Sequence, residues 1–320
     1  MKLGELYKKV IEWGIEEDLR GKEEISRILE ENKKKYEELK DDEKNFFDKD
    51  LIFNPYSDTR IVHGDEEIDV KSAVIGIDID IGELLLADRL REKGKRIDVV
   101  ISHHPVGKAY ANFYKVMDMQ VDIVSNWGIP YSYLESYMEK RKREVSRRVK
   151  PLNHFRVVDV AKILDIPIMC IHTPSDNHVT RFLKSVFENE KPYKLKDVIE
   201  ILNKIPEYRI YRERGEDGAV IAVGNPERKA GKIFVDMTGG TEGPVEVIEK
   251  LVDSGVSTVV GMHFSEKHLE EAEKKKLNII IAGHISSDVL GMNLLLDKLE
   301  KNFHEIEIVP VSGFYRVRRI

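Results

Sequence analysis

The clearest structural signal in the chain is the stretch Ile97-Asp98-Val99-Val100-Ile101-Ser102-His103-His104-Pro105, in which a β-branched run ends at two adjacent histidines. Such a run predicts a strand buried on both faces, as in parallel sheets, and Pro105 cannot continue a sheet ladder. His103 and His104 are therefore expected on the loop that leaves the strand. Ligands of open α/β sheets bind just beyond the carboxyl ends of the strands, so the pair is a candidate site. A polar turn without function explains the pair equally well on this observation alone.

Two later segments repeat the arrangement, with a histidine four residues before an aspartate. Strands are predicted at residues 167–171 and 279–282, and each leads directly into such a pair. The pairs are His172 with Asp176 and His284 with Asp288. Within one helical turn this spacing places both side chains on one face, as in zinc sites with ligands at i and i+4. Ser175 or Asp176 could instead cap the helix predicted over residues 177–187.

The alternation of predicted strands and helices indicates an α/β fold, and 320 residues suffice for two α/β lobes. We expect a first α/β domain at residues 59–190, with a helical insertion at about 114–164, and a second α/β domain at 191–301. One of the predicted strands lies at 209–214. The expected flanking segments are an N-terminal helical extension at 1–58 and a C-terminal strand at 302–320 that returns to the first domain.

Composition limits the classes of function. The formal net charge of -6 gives no general attraction to nucleic acid. Cys170 is the only cysteine, which excludes a disulfide framework and indicates a cytoplasmic protein. No apolar stretch approaches the roughly 20 residues of a membrane span, and no signal peptide is predicted. Lysine and glutamate are abundant while Gln120 is the only glutamine, a composition that favours a thermophilic source.

Two further segments have alternative interpretations. The basic run at residues 140–150 could contact nucleic acid, but Glu144 interrupts it and it lacks aromatic residues, so a solvated helix face is preferred and nucleic acid is not an expected partner. The loop at 238–243, Thr-Gly-Gly-Thr-Glu-Gly, precedes a predicted helix and could hold an anion on its backbone amides. Glycines in a tight strand-to-helix turn also occur without any ligand.

The histidines concentrate where a site is expected. Six of the ten stand at or just after strand ends, namely His103, His104, His172, His263, His268 and His284. Imidazole with carboxylate and without thiolate suits zinc, iron, manganese, nickel or cobalt. The candidates exceed the three protein ligands that one catalytic zinc uses, which favours two divalent ions with a bridging carboxylate.

The three motifs resemble those of the Nif-three-like family of dinuclear metal proteins, also described as GTP cyclohydrolase type I homologues. The resemblance extends from about Thr59 to the C-terminus and rests on residues 102–105, 172–176 and 283–288. It implies two α/β domains with a metal pair in the cleft between them, commonly in a ring-shaped hexamer. The implied metal ligands are His103, His104, Asp176, His284 and Asp288. The family usually has glutamate where this chain has Asp288, so we expect the second ion to lie differently or to bind more weakly.

The resulting hypothesis is a hydrolase with two metal ions that acts on a small nucleotide-like or phosphorylated substrate, with cyclohydrolase-like chemistry as one form. His263 and His268 are the candidates for proton transfer, since imidazole titrates near working pH. The alternative is a non-enzymatic metal-binding protein with a regulatory or metal-handling role. Because Asp288 and His284 come from the second lobe, we expect Asp288→Asn to weaken one ion more than the other.

Overall fold

The computed structural model describes residues 1–215, 217–303 and 305–319 as helices around two mixed sheets. The strands are β1 (Arg60–His63), β2 (Ser72–Gly76), β3 (Val99–Ser102), β4 (Ile168–Cys170), β5 (Val220–Val223), β6 (Ile233–Asp236), β7 (Thr258–Gly261), β8 (Asn278–Ile281) and β9 (Glu307–Val311). The helices are α1 (Leu3–Glu17), α2 (Lys22–Glu38), α3 (Asp41–Lys44), α4 (Ile81–Glu92), α5 (Gly107–Ala111), α6 (Met119–Ser125), α7 (Tyr131–Val149), α8 (Arg156–Ile163), α9 (Thr173–Glu190), α10 (Leu195–Lys204), α11 (Pro206–Glu213), α12 (Val247–Asp253), α13 (Glu266–Lys275) and α14 (His284–Asn302). This architecture confirms the predicted α/β class.

The two sheets share one plan. Their strand orders are β1-β4-β3-β2-β9 and β5-β8-β7-β6. In each, the first strand is antiparallel to its neighbour and the others run parallel. Without β9, the chain therefore builds the same four-stranded arrangement twice, and β4 in one sheet corresponds to β8 in the other.

The central strands explain why the sequence signal was clear. All residues of β3 and β4 are buried, as are those of β2 and β7. Helices cover both faces of such parallel strands, so their residues are continuously apolar. Their carboxyl ends carry the loops with histidines and aspartates. β9 lies parallel to β2 at the edge of the first sheet. Of the segment predicted to return there, positions 304 and 320 lie outside the described residues.

Three helices hold the carboxyl ends of the strands together. α9 packs against both α14 and α1. Gly291 permits the close approach of α14 to α9, because a Cβ atom there would lie 2.6 Å from the Ser175 carbonyl oxygen. α1 contributes Leu6 and Val10 to a core that also contains residues of both sheets. The segment before residue 59 is thus packed into the same core.

Two expectations about local structure are wrong. Residues 209–214 were predicted as a strand, but most of them belong to α11. Pro206 occupies the first turn of that helix, where its fixed φ is favourable, and the arginines and glutamates that follow are good helix formers. α9 begins at Thr173 rather than near residue 177, so Asp176 lies inside its first turns and does not cap it. No helix in the described ranges is long and apolar enough to span a membrane.

Candidate metal centre

The structure brings together all five side chains that the family resemblance implied as ligands. His103 and His104 leave β3, Asp176 lies in the first turns of α9 after β4, and His284 and Asp288 begin α14 after β8. Potential ligand atoms form three groups, and within each group the atoms lie within 4.8 Å of one another. The groups are His103, Asp176 and Asp288; His104, His284 and Asp288; and His103, His104 and His172.

Asp288 is at the centre of the cluster. Its Oδ1 atom lies 3.3 Å from His103 Nε2, and its Oδ2 atom lies 3.4 Å from His104 Nε2 and 3.6 Å from His284 Nε2. Asp176 Oδ1 lies 3.5 Å from His103 Nε2. Asp288 therefore belongs to two ligand groups. The expectation that its loss weakens mainly one ion does not follow from this geometry.

Hydrogen bonds behind the rings fix which nitrogen faces the cluster. His103 Nδ1 donates to the Ile171 carbonyl oxygen at 3.0 Å, and His104 Nδ1 donates to Asp78 at 2.7 Å. With Nδ1 as the donor, Nε2 of each ring faces Asp288. Burial acts to lower the pKa of His104, but Asp288 and Asp78 raise it to about 9, so a cation bound there would displace a proton from its Nε2. Metal-binding histidines typically donate their other N–H to a carbonyl or a carboxylate in this way.

The atoms that face one another inside the cluster are buried without partners. His103 Nε2, Asp176 Oδ1 and both carboxylate oxygens of Asp288 have no hydrogen-bond partner among the described residues. Leaving one such group unsatisfied costs about 1–3 kcal/mol, and more for a charged group. Divalent cations satisfy imidazole nitrogen and carboxylate oxygen together, so the donor set fits a metal site. These residues therefore suit the divalent metals expected from the sequence, namely zinc, iron, manganese, nickel or cobalt.

The electrostatics of the cluster support the same interpretation. Burial raises the pKa of Asp176 well above its usual value, and the negative charges of Asp288 and Asp58 raise it further. Burial also acts to raise the pKa of Asp288, but the imidazoles of His103 and His104 outweigh it and the pKa is lowered. Burial lowers the pKa of His103 to about 4, so this ring is neutral and free to bind a cation at neutral pH.

Two residues near the cluster were not assigned from the sequence. His172 stands beside His103, with 4.9 Å between the ring centroids, and it was not among the implied ligands. Its Nδ1 donates to Asp58 Oδ2 at 2.9 Å. The signal for His172 was available, because its spacing to Asp176 equals that of His284 to Asp288. Nothing local marks Asp58, which lies 114 residues away in the sequence.

The two histidines proposed for proton transfer differ in position. The ring of His263 lies 4.8 Å from that of His284, its side chain is 44% exposed, and its Nδ1 donates to Glu242 at 3.0 Å. His268 has both ring nitrogens occupied: Nε2 donates to the Gly243 carbonyl oxygen, and Nδ1 accepts from the Ser265 hydroxyl. The structure places His263 at the rim of the cluster and does not bring His268 to it.

The glycine-rich loop at 238–243 has a packing explanation. Gln120 in α6 donates to the carbonyl oxygens of Gly239 and Thr241, at 2.8 and 2.6 Å. A Cβ atom at Gly239 would lie 2.4 Å from the Gln120 side chain, so the loop needs glycine to receive it. Arg141 from the basic run also binds this loop, donating to the Glu242 carbonyl oxygen at 3.1 Å. These contacts fix the helical insertion against the second sheet.

The cavity beside the cluster is small. Its lining includes His172, Asp176, His284, His263 and Glu242, and its volume is about 40 Å³. A water molecule needs roughly 10–15 Å³ of such space, whereas pockets for larger ligands have roughly 300–1,000 Å³. Only ions, water or the reacting group of a substrate fit, and the rest of a substrate would lie at the rim near His263.

The fold and the cluster define a class of two-sheet α/β proteins with histidines and aspartates at the carboxyl ends of their strands. Among solved structures, a NIF3 superfamily protein from Sphaerobacter thermophilus matches with a TM-score of 0.67 and 28% identity, over 81% of this chain and 92% of that chain. The reduced form of HcgD from Methanocaldococcus jannaschii shares the fold, with a TM-score of 0.51 and 16% identity over 83% and 93% of the two chains.

No protein-family profile and no curated protein sequence matches the chain. The match to the Sphaerobacter protein nevertheless supports the Nif3-like family predicted from the three motifs, and the chain has the fold of NIF3 superfamily proteins.

Proposed function

We propose that the chain is a dinuclear metal-dependent hydrolase that acts on a small phosphorylated or nucleotide-like substrate, with cyclohydrolase-like chemistry as one form of the reaction. The observation that carries the proposal is the set of buried, unpartnered nitrogen and oxygen atoms around Asp288. Burying ionisable atoms away from water and without hydrogen bonds costs free energy, and a bound cation would offset that cost. The five ligands remain His103, His104, Asp176, His284 and Asp288.

Each side chain has a role that its position allows. The imidazoles of His103, His104 and His284 would hold the ions through Nε2, and Asp288, whose two oxygens face different histidines, would be a ligand to both. Two divalent ions bound there would acidify a water molecule towards neutral pH and polarise the substrate. His263 exchanges a proton with the substrate through Nε2 while Glu242 holds Nδ1. His268 is not proposed for this role, because both of its ring nitrogens already take part in hydrogen bonds.

The protein also limits what reaches the site. The ring of Phe113, at the start of the helical insertion, lies 5.6 Å from the ring of His172 in an edge-on contact. Gln120 and Arg141 hold the neighbouring loop from the same side. This cover lies on the side of His172 and limits the access of water there, which strengthens electrostatic interactions, while the side near His263 stays open to a substrate.

A metal-binding protein without enzymatic activity is the second candidate. The cavity of about 40 Å³ favours it, because a site of that size can hold ions with no room for a whole substrate. Its role would be regulatory or metal-handling. Both candidates require the metal centre, but only the hydrolase turns over a substrate.

One experiment separates them. The protein is purified without added metal, its metal content per chain is measured, and the metal-loaded form is screened against nucleotides and phosphate esters. We expect two ions per chain and a turnover that chelation abolishes and a divalent ion restores. His104→Ala should lose activity, while His63→Ala, at a histidine on β1 outside the cluster, should keep it.

Three results would change the proposal. At most one ion per chain after saturation contradicts the dinuclear centre. Two ions without metal-dependent turnover across the panel favour the non-enzymatic candidate. Turnover that persists in His104→Ala indicates a contaminant or another site.

The resemblance to the family also leads us to propose a homo-oligomer, with a hexamer as the expected form. Light scattering tests this directly, since a hexamer has six times the 37.0 kDa mass of one chain.

A further inference from the structure

His172 is the one imidazole of the cluster that the implied ligand set leaves unused. It follows β4 and stands at the N-cap of α9, where its side chain makes no capping hydrogen bond. Its ring lies 4.9 Å from that of His103 and 5.9 Å from that of His104, measured between centroids. One ring nitrogen from each of the three lies within 4.8 Å of the others. In a tetrahedral zinc site with bonds of about 2.0–2.1 Å to nitrogen, ligand atoms lie about 3.3–3.4 Å apart, so nitrogens at the upper limit of this spacing would have to move closer together on binding an ion.

A buried carboxylate holds the ring of His172. Asp58 is 0% exposed, and its Oδ2 atom accepts from His172 Nδ1 at 2.9 Å and from the Thr173 hydroxyl at 2.6 Å. Nδ1 is therefore the donor to Asp58, and Nε2 is the ring nitrogen available to an ion. A carboxylate, a histidine and a metal ion in this order form a recurrent arrangement in metal sites.

The repeated sheet plan gives a second, independent argument. β4 and β8 occupy the same place in the two strand orders, and each leads into a helix that starts with a histidine and an aspartate four residues apart. At the β8 end, His284 and Asp288 belong to one ligand group. His172 and Asp176 occupy the equivalent positions at the β4 end, where Asp176 Oδ2 lies 3.7 Å from His172 Nδ1, the nitrogen that also faces Asp58.

We propose that His172 is a sixth ligand of the metal pair, on the ion nearest His103, and that Asp58 is its positioning residue. This inference rests on the metal centre of the proposed function and not on hydrolysis. In the structure His172 groups with His103 and His104, and Asp176 and Asp288 group with His103, so the two groups share His103. An ion near His103 that drew both groups together would have four protein ligands, His103, His172, Asp176 and Asp288, while the other ion would have three, His104, His284 and Asp288. Closed four-ligand sites are typical of structural zinc, and three-ligand sites keep a position open for water or substrate. The open ion is therefore the one beside His263.

Cobalt binding to the metal-free full-length chain tests this without any assay of activity. Calorimetry gives the number of ions and their affinities, and the visible absorption of Co²⁺ reports its coordination. The variants are His172→Gln and Asp58→Asn, which keep the volume of the side chains. His178→Ala is the matched control, because this buried histidine of α9 donates to the Pro174 carbonyl oxygen and lies outside the ligand groups.

We expect His172→Gln to weaken one ion by about 10–100-fold and to change its cobalt spectrum, while the other ion keeps its affinity. Asp58→Asn should weaken the same ion by about tenfold, because asparagine still accepts the hydrogen bond but lacks the charge. His178→Ala should leave both ions unchanged. If His172→Gln does not fold, as judged by circular dichroism, Asp58→Asn alone decides the question.

The inference is overturned if both ions bind to folded His172→Gln or to Asp58→Asn as they do to the wild-type chain, or if His178→Ala causes the same loss. A wild-type chain that binds no cobalt overturns the metal centre as a whole. A wild-type chain that binds two ions, shows the His172 effect and hydrolyses nothing supports the sixth ligand and contradicts the hydrolase.

Discussion

The β4–α9 and β8–α14 junctions carry the same sequence pattern and provide different chemical environments. In both, a strand ends, a histidine follows, and an aspartate comes four residues later at the start of a helix. At the first junction the side chain of His172 is 7% exposed and Asp58 holds its ring. At the second, the side chain of His284 is 40% exposed and contacts Asp288 through Nε2, but among the residues that the structure describes no carboxylate or carbonyl accepts a hydrogen bond from its Nδ1.

The difference comes from what packs around each junction. α1 covers the first junction, and Gly14 lies so close to Pro174 that a Cβ atom there would approach the proline Cβ to 2.7 Å. The second junction faces the rim, where His263 is its neighbour. The same histidine–aspartate motif thus supplies candidate ligands at both junctions. The packing around each junction buries the half of the cluster near His172 and leaves the half near His284 accessible.

The largest effect is expected from the aspartate that both halves share. Asp288→Asn should weaken both ions by about 100-fold or more, because each of its oxygens faces a different histidine and a neutral amide replaces the bridging charge. Asp176→Asn, at the corresponding position, should weaken only the ion near His103. Calorimetric titration of the metal-free proteins measures both, with Asp297→Asn in the same helix as the control. A loss confined to one ion in Asp288→Asn would show that Asp288 does not bridge.

The exposure of the two junctions can be compared by chemical modification. With diethylpyrocarbonate and peptide mass spectrometry, His284 and His263 should react first in the metal-free protein, because their side chains are 40% and 44% exposed. His103 and His172 should react only on unfolding. Bound metal should protect His284 and leave His263 reactive, so His263 is the internal control. Early reaction of His172 would contradict a closed first junction.

The close contact between the helices of the two junctions can be tested at one position. Gly291→Ala should lower the free energy of unfolding by about 1–3 kcal/mol, because its Cβ atom would lie 2.6 Å from the Ser175 carbonyl oxygen and the helices must separate. Metal affinity should fall with it, since Asp176 and Asp288 move apart. Urea denaturation measures the stability. Gly82→Ala, in α4 with no atom within 4 Å of the new Cβ, should be neutral or stabilising.

Much of this could be predicted from the sequence because the signals are local. The buried β-branched strands, the histidines at their ends and the spacing of His284 to Asp288 all lie within a few residues of one another. The three motifs therefore sufficed for the fold class and the family.

The rest depends on contacts between distant segments. Asp58 lies in the segment assigned to a helical extension, where nothing in its neighbourhood indicates that it will hold His172. In the sequence Gln120 stands out only as the single glutamine. In the structure its side chain packs against the loop at 238–243 so closely that the loop needs glycine there. The late start predicted for α9 was an avoidable error, because Pro174 in the first turn is a helix-start signal.

The ends of β2 and β6 extend the comparison to the dependence of stability on pH. The pKa values of the aspartates at these two strand ends are shifted in opposite directions. After β2, the pKa of Asp78 is lowered chiefly by its hydrogen bond to His104. At the end of β6, burial raises the pKa of Asp236 to about 6, and the nearby positive charge of His263 offsets this only in part. The folded state of the metal-free protein thus binds Asp236's proton more tightly than the unfolded state, whose pKa is about 3.9.

Stability from this group is present below about pH 4, where both states are protonated, and is lost as the pH rises to about 6. The Asp236→Asn variant cannot lose this stability. Its free energy of unfolding should therefore rise relative to that of the wild-type protein through this window, and above the window the difference should stay about 3 kcal/mol higher than the low-pH difference. Urea denaturation with a chelator at several pH values between 4 and 7 measures the difference, and the exposed Asp253→Asn should show no such trend. If the stability of Asp236→Asn relative to the wild-type protein falls as the pH rises, the folded protein stabilises Asp236 as an anion. The pKa values of Asp78 and Asp236 would then be shifted in the same direction.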